Sequence, residues 1–288
     1  MERLRYTPNA AARQLVLQRS DSIGVVITEI ASGFFASVLH GISTTAERLG
    51  YTTVFTVGQI EDRSRKIYRR MLEESRVDGL IIIEPWLNEQ RLAELEALHK
   101  PIVLIQQEVQ SDQIGSVATD NRGGAYAGMK HLLDKGYGDV LVIRGPPATQ
   151  DSREREEGCR QAVQAAAGAK PTVRYIDGQF NPDRALEAFA AYREKHPLPR
   201  AIFALNDAMA IAILRELHRQ HVKTPEDVAV MGYDGIDASE YFDLTTITTP
   251  LTAMGERAAE LVHAKLQNPE SKAQHVRLEG KLTVRLTA

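Results

Sequence analysis

The sequence predicts an α/β fold in which one chain of 288 residues forms two doubly wound parallel-sheet subdomains. Short runs of β-branched residues alternate with amphipathic segments of helical length, which is typical of right-handed strand–helix–strand units. The runs are continuously apolar, which indicates strands covered by helices on both faces. One connection, between the runs at 102–105 and 114–117, has only eight residues. Because that is too short for a helical crossover, it divides the chain into two similar halves.

Nine apolar runs are predicted strands, and the short connection favours two open sheets over their alternative arrangement, a closed TIM-type barrel. The strands that we predict lie at 22–28, 52–57, 79–83, 102–105, 114–117, 140–144, 173–176, 201–204 and 228–232.

Eight amphipathic segments are predicted helices, and several carry start and stop signals. Asp62 and Asn88 are candidate N-caps, and Gly50 and Gly136 follow their helices where a C′ glycine is favoured. The predicted helices span 34–49, 62–75, 88–99, 121–135, 154–167, 181–195, 207–218 and 250–266.

Composition is that of an ordinary globular protein, with 43% hydrophobic and 25% charged residues. The single cysteine, Cys159, excludes an intramolecular disulfide and a cysteine-based zinc site, and we expect it to be a small core residue. No run approaches the roughly 18 apolar residues of a membrane span, and the N-terminus lacks the apolar core of a signal peptide. We therefore expect a cytoplasmic protein.

Charge is distributed unevenly along the chain. Residues 1–20 carry four arginines against one glutamate, so the remaining residues hold a charge of −6 out of a net −3. A short basic arm on an acidic body indicates that the arm is the part that meets a polyanion, although a solvated tail has the same composition.

Motifs of catalysis are missing from the sequence. It contains no nucleophile elbow, zinc-protease motif, phosphate loop or dinucleotide fingerprint. His218 and His221 are spaced for one helix face but have no acidic or cysteine partner in spacing for a metal. We therefore expect no enzyme activity, no cofactor and no metal.

A small-molecule site is predicted where the parallel strands end, because open α/β sheets bind ligands beyond the carboxyl ends of their strands. Aromatic walls with a few polar groups suit a sugar or a base. Several of these residues have structural alternatives: a core position for Phe34 or Phe35, a surface position for Trp86, and a surface ion pair for Arg155. Asp120, Asn181 and Asp207 are expected to be helix caps. The candidate ligand residues, Trp86 aside, are Glu29, Phe34, Phe35, Arg155, Phe180, Asn206 and Asp234.

Short motifs across nearly the whole chain resemble the LacI/GalR family of bacterial transcriptional regulators. Residues 6–15 (YTPNAAARQL) resemble that family's hinge helix, and residues 22–26 its first core strand. The other motifs, in order, are Phe34-Phe35, 76–80 (RVDGL), Asp120-Asn121, His131-Leu132 with Gly136-Tyr137, Glu154-Arg155 with Gly158, Asn206-Asp207, 232–234 (GYD), 245–247 (TTI) and Met254-Gly255.

The resemblance implies a type I periplasmic-binding-protein-like fold, a homodimer, and an effector cleft coupled to operator binding. It implies a hinge segment at 1–20, an N-terminal subdomain at 21–120 with 249–274, and a C-terminal subdomain at 121–248 with 275–288. Six of the candidates, all except Glu29, match positions that line such a cleft. A hinge helix of this kind kinks the minor groove with an inserted leucine. The matching hinge residues here are Pro8, Asn9, Ala12, Arg13 and Leu15.

Three features depart from the family pattern: no helix-turn-helix precedes Tyr6, Ser32-Gly33 replaces Asn-Pro, and Thr249 replaces a glutamine. The resulting hypothesis is a regulator whose effector is a sugar or sugar derivative. The alternatives are a purine- or nucleoside-responsive regulator, and a solute-binding protein of a transport system.

Overall fold

The protein divides into two compact units, seen in a computed structural model that describes residues 19–27, 33–57, 70–72, 74, 76–84, 88–168 and 170–288. The first unit comprises Met1–Ile30, His40–Ser116 and Gly255–His275. The second comprises Ala31–Leu39, Val117–Met254 and Val276–Ala288. The boundary therefore crosses the chain at more than one place.

The first sheet has six strands in the order β11-β5-β4-β3-β1-β2. Its pairs β1–β2, β1–β3 and β3–β4 are parallel, and its core contains Leu80, Ile82, Leu95 and Leu104. The strands are β1 (Ser22–Ile27), β2 (Thr52–Val57), β3 (Gly79–Ile83), β4 (Ile102–Ile105), β5 (Ile114–Thr119) and β11 (His275–Leu278). The helices between and after them are α1 (Gly33–Arg48), α2 (Glu89–Glu96) and α8 (Leu251–Gln267).

The second sheet has the order β12-β10-β9-β8-β6-β7, and only its β10–β12 pair is antiparallel among the described pairings. Its strands are β6 (Asp139–Arg144), β7 (Thr172–Asp177), β8 (Ala201–Ala204), β9 (Ala229–Asp234), β10 (Thr245–Thr248) and β12 (Lys281–Thr283). The helices are α3 (Asn121–Asp134), α4 (Gln150–Ala165), α5 (Pro182–Arg193), α6 (Asp207–Arg219) and α7 (Ala238–Tyr241).

Both faces of this second sheet are buried, as the continuous apolar runs predict. Along β6, Val140 and Val142 belong to one core cluster, whereas Leu141 and Ile143 belong to another. Since alternate residues of a strand point to opposite faces, helices must cover both sides. The predicted α/β fold with two mainly parallel sheets is confirmed.

Three strands, β10, β11 and β12, were not predicted. β10 reads TTIT, β11 alternates exposed with half-buried residues, and β12 contains no buried residue. They lack the long apolar run that identifies a buried strand, so their position is determined by pairing with neighbours.

Several end signals act as predicted. Asn88, Asp120 and Asn181 cap their helices by accepting hydrogen bonds from backbone N–H groups. Gly50 and Gly136 have φ values of 87° and 86°, the left-handed conformation expected after a helix. Asp62 lies outside the described residues.

A close contact between α3 and α4 fixes the position of α4 on the second unit. A Cβ atom at Gly158 would lie 2.2 Å from the carbonyl oxygen of Arg122, so only glycine allows this approach. Cys159 beside it is fully buried, which agrees with its predicted core position, and burial raises the pKa of its thiol.

Candidate functional site

Four of the predicted ligand residues come together at the carboxyl ends of the second sheet. Asp234 is the last residue of β9, Asn206 follows β8, Phe180 follows β7, and Arg155 lies on α4. These four residues belong to the same compact unit. Ligands of open α/β sheets bind at this edge.

Arg155 is buried and is held by three polar contacts. Its Nε donates to Asn121 Oδ1 at 2.9 Å, and its Nη1 donates to the carbonyl oxygen of Leu205 at 2.6 Å. The same Nη1 lies 3.0 Å from Asp234 Oδ1. Arg155 therefore does not make the surface ion pair considered as its structural alternative.

Two aromatic rings enclose the guanidinium group. Its central carbon lies 3.9 Å from the ring centroid of Tyr233 and 5.4 Å from that of Phe180. Burial lowers the pKa of Arg155, but its interactions with Asp234, Tyr233 and Asp151 together more than compensate, so the pKa rises above its ordinary value. The arginine stays charged and has little freedom to move.

The carboxylate of Asp234 has unfilled capacity as an acceptor. Its side chain is only 9% exposed, yet Oδ1 accepts no hydrogen bond within the described residues, because the nearby Arg155 nitrogen is poorly aligned. Burial raises the pKa of Asp234 to about 6, against the opposing charge of Arg155. A buried acceptor of this kind costs free energy unless a donor reaches it.

The backbone at Asp234 is held in an unusual conformation, with φ of 114°. Its carbonyl oxygen accepts hydrogen bonds from both the N–H and the hydroxyl of Thr249. Thr249, one of the departures from the family pattern, thus supports the strand end from the protein side. Residues in such regions cost free energy and persist only where their surroundings fix them.

Asp207 fixes the residues that follow Asp234. Its Oδ2 accepts from the N–H groups of Gly235 and Ile236, at 2.7 and 2.9 Å, and its Oδ1 accepts from the Thr246 hydroxyl at 2.6 Å. Burial, together with the charge of Asp234, raises the pKa of Asp207 to about 7, although its three donors act in the opposite direction. The sequence predicted that Asp207 caps a helix, and this prediction is wrong. Its side chain instead accepts hydrogen bonds from the turn that follows Asp234.

Phe180 and Asn206 support each other. The Asn206 side chain caps α6 through the N–H of Met209 and donates to the carbonyl oxygen of Phe180 at 3.2 Å. Phe180 has φ of 53°, and a Cβ at Gly145 would lie 2.3 Å from its ring. Gly145 thus makes room for the ring beside Arg155.

Two further predicted ligand residues, Phe34 and Phe35, belong to the same compact unit. Phe34 and Phe35 are in the first turn of α1, with ring centroids 5.3 Å apart at an interplanar angle of 88°. Phe34 is buried and Phe35 is half-buried. Glu29, Trp86 and the hinge residues Pro8, Asn9, Ala12, Arg13 and Leu15 lie outside the described residues.

Sequence reasoning missed Asn121, Asp151, Asp207 and Tyr233 as members of the site. Helix α4 begins at Gln150 and not at the predicted 154, so Asp151 lies in its first turn, one turn before Arg155. The spacing of four residues from Arg155 was a usable signal, because residues i and i+4 share a helix face. Asn121 and Asp207 were missed because capping was predicted for Asp207 itself and for Asp120, which precedes Asn121.

Metal and membrane features are not found in the described part of the chain. There, no group of three or more histidine, cysteine or acidic side chains is arranged to hold a metal ion. None of its helices combines the length and apolarity that crossing a bilayer requires.

Comparison with known proteins identifies relatives over the whole chain. The family profile of the periplasmic binding protein-like domain matches residues 129–288. The chain is 31% identical to the HTH-type transcriptional repressor PurR of Vibrio campbellii over 292 aligned residues, covering 100% of this chain and 87% of that protein.

Solved structures show the same fold. A LacI family transcriptional regulator from Enterococcus faecium with bound ribose has a TM-score of 0.82 at 25% identity, covering 93% of this chain and 98% of that one. The transcriptional regulator CelR in complex with cellobiose has a TM-score of 0.83 at 25% identity, covering 99% and 92% respectively. Both are therefore similar in architecture to the fold described above.

Proposed function

Because the chain belongs to the LacI/GalR family of transcriptional regulators, we propose that it binds a small sugar-like effector at the strand ends of its second unit. Binding there changes the affinity of the regulator for operator DNA. The relatives are transcriptional repressors, and accordingly the protein acts in the cytoplasm and is not an enzyme.

The main support for this proposal is the missing hydrogen bond at Asp234 Oδ1. Asp234 is a buried carboxylate whose Oδ1 accepts no hydrogen bond among the described residues, next to an arginine that is already occupied. A carboxylate accepts only, and hydroxyl groups are ready donors in charge-assisted hydrogen bonds of about 2.5–2.7 Å. A polyhydroxyl ligand therefore completes the site.

Two effector classes compete, and a specific observation supports each. Ribose and cellobiose are bound in the two similar structures named above, which favours a sugar. The PurR relatives favour a purine or nucleoside, whose amino and ring N–H groups are also donors. We place the sugar first for two reasons. Its hydroxyl groups can donate to Asp234 Oδ1 without an aromatic ring to stack on. The Phe180 ring, on which a base could stack, already faces Arg155.

The other residues predicted from sequence are proposed to bind the effector, to position Asp234 or to contact DNA. Phe34, Phe35 and Glu29 contact the same effector, and Phe180, Asn206 and Arg155 position Asp234. The subdomains comprise 21–120 with 249–274 and 121–248 with 275–288. Residues 1–20 form the hinge that contacts the minor groove of operator DNA through Pro8, Asn9, Ala12, Arg13 and Leu15.

The regulator is proposed to be a homodimer. Four residues of α1 were considered for core or interface, and Val38 and Ile42 are fully buried within the chain. Ala36 and Leu39 are the two that keep exposure for an interface. Sedimentation velocity at increasing concentration tests the proposal, and a monomer throughout would contradict it.

A thermal-shift screen against sugars, polyols and nucleosides tests the effector site. A ligand at 100 times its Kd stabilises the protein by about 2.7 kcal/mol, which corresponds to roughly 5–10 °C for a chain of this size. We expect a sugar to give this shift and Asp234→Ala to abolish it. A nucleoside hit that also depends on Asp234 would select the purine alternative. No hit in a cooperatively melting protein would reject the site.

A further inference from the structure

The charges around Asp234 restrict which ligands the site accepts. Arg155 lies beside Asp234 in the site, and its Nε and Nη1 groups already donate to Asn121 and Leu205. Tyr233 and Phe180 flank its guanidinium plane. An anionic group on a ligand would therefore have to compete with the protein for these two nitrogens.

The first turn of α4 carries its own negative charge. A helix N-terminus generally attracts a phosphate or carboxylate group, because its N–H groups and dipole favour negative charge. Here Asp151 lies in that turn, and its Oδ1 accepts from the N–H of Ser152 at 2.8 Å. The position that would otherwise favour a ligand anion is thus supplied with a side-chain anion.

Asp151 acts on the same residues that form the site. It lies one helical turn before Arg155 on the same helix face. In agreement with this placement, its charge raises the pKa of both Arg155 and Asp234. Asp234, whose buried Oδ1 accepts no hydrogen bond among the described residues, is the independent sign that a donor is missing here.

We propose that Asp151 sets the charge selectivity of the effector site, so that the ligand is a neutral or amine-bearing polyol and its phosphorylated form is rejected. The inference rests on the proposed function, since it concerns the same site. It deepens that function by assigning the ligand class to those that offer donors to Asp234 and bring no negative charge.

Calorimetric titration with matched ligand pairs at pH 8 tests this selectivity. The pairs are ribose with ribose 5-phosphate, glucose or glucosamine with glucose 6-phosphate, and adenosine with adenosine monophosphate. We expect the phosphorylated member of a binding pair to bind at least about tenfold more weakly, and Asp151→Asn to reduce this ratio about fivefold. The control is Asp183→Asn, an equal charge change in the first turn of α5 at an exposed residue, which leaves the ratio unchanged.

Two results would overturn the inference while leaving the proposed function intact. One is a phosphorylated member that binds as tightly as its neutral partner in an Asp234-dependent manner. The other is a ratio that is the same in Asp151→Asn as in the unchanged protein. If no member of any pair binds, both the proposed function and this inference fail.

A measurement without ligand tests whether the charge of Asp151 reaches Asp234, independently of any effect on ligand selectivity. The carboxyl carbon of Asp234 can be titrated by NMR in the unchanged protein, in Asp151→Asn and in Asp183→Asn. We expect only Asp151→Asn to lower the titration midpoint of Asp234. An unchanged midpoint would overturn the proposal, because the charge of Asp151 would then not reach the site.

Discussion

Among the described residues, a buried arginine–carboxylate pair lies beyond a parallel strand in each unit, and the two pairs differ in their hydrogen bonding. In the first unit, Glu84 follows β3 and accepts a hydrogen bond from Arg91 at 3.0 Å. In the second, Arg155 lies 3.0 Å from Asp234 without forming such a bond. The side chains are similarly buried, at 3% and 11% exposure in the first pair and 9% and 3% in the second.

We propose that this difference separates a structural ion pair from a ligand-binding site. Burying an ion pair costs desolvation that only good geometry repays. The Glu84 pair has that geometry, because Arg91 donates a hydrogen bond to Glu84. In the other pair, Asp234 Oδ1 accepts no hydrogen bond among the described residues and can accept one from a ligand. Burial alone would not distinguish the two pairs, but hydrogen-bond geometry does.

The largest expected effect is from breaking the Arg155–Asp234 pair. Arg155→Met should lower the free energy of unfolding by about 3–5 kcal/mol, because the buried carboxylate of Asp234 loses the arginine that lies beside it. Urea denaturation measures this. The control Arg160→Met removes a half-exposed ion pair with Glu156 and should cost less than about 1 kcal/mol. Equal losses for Arg155→Met and Arg160→Met would contradict the comparison.

The next effect concerns the turn after Asp234, which has no counterpart among the contacts described for Glu84. Asp207→Ala should cost about 3 kcal/mol, because the N–H groups of Gly235 and Ile236 and the Thr246 hydroxyl lose their acceptor. The exposed Asp227, which accepts from the N–H of Lys223, gives the matched control Asp227→Ala. If Asp207→Ala lowers the free energy of unfolding no more than Asp227→Ala does, the turn after Asp234 does not depend on the Asp207 side chain.

A smaller effect is expected from the glycine beneath Phe180. Gly145→Ala should cost about 1–3 kcal/mol and weaken effector binding, because the new Cβ displaces the ring that flanks Arg155. Gly138→Ala is the control, since a Cβ there meets nothing within 4 Å. Thermal unfolding of both variants measures the difference, and similar melting temperatures would refute the packing role of Gly145.

The smallest effect is a pH dependence specific to the second unit. Asp207 and Asp234 have pKa values raised to about 7 and about 6 from 3.8, so the folded protein binds more protons than the unfolded chain between these values. Their contribution is therefore present at pH 4 and is lost as the pH rises towards 7. Asp234→Asn should reduce the difference in unfolding free energy between pH 5 and pH 7 by on the order of 1 kcal/mol. An unaltered difference would mean that Asp234 titrates normally.

Sequence patterns predicted the sheets better than the polar contacts of the site. The runs in β6, β8 and β9 are long and apolar, so their burial follows from composition and length. The strand-end rule then selected Arg155, Phe180, Asn206 and Asp234, which do meet in space. This part needed only periodicity and the geometry of parallel sheets.

The roles within the site were not predictable in the same way. The sequence predicted Asp207 as a helix cap and Asn206 as a ligand residue. Only the fold shows that Asn206 caps the helix, whereas Asp207 accepts hydrogen bonds from a turn far along the chain. Asp151 depends on where α4 begins, and helix ends are uncertain from sequence by a few residues. The poor alignment of Arg155 with Asp234 is a matter of side-chain angles that no pattern encodes.

The most direct test of the central claim is a crystal structure of the protein with the strongest ligand from the thermal-shift screen. We expect a ligand hydroxyl or amine about 3 Å from Asp234 Oδ1, with Arg155 still bonded to Asn121 and Leu205. A ligand bound at the Glu84–Arg91 pair, or one whose anionic group displaces Asp234 from Arg155, would contradict it.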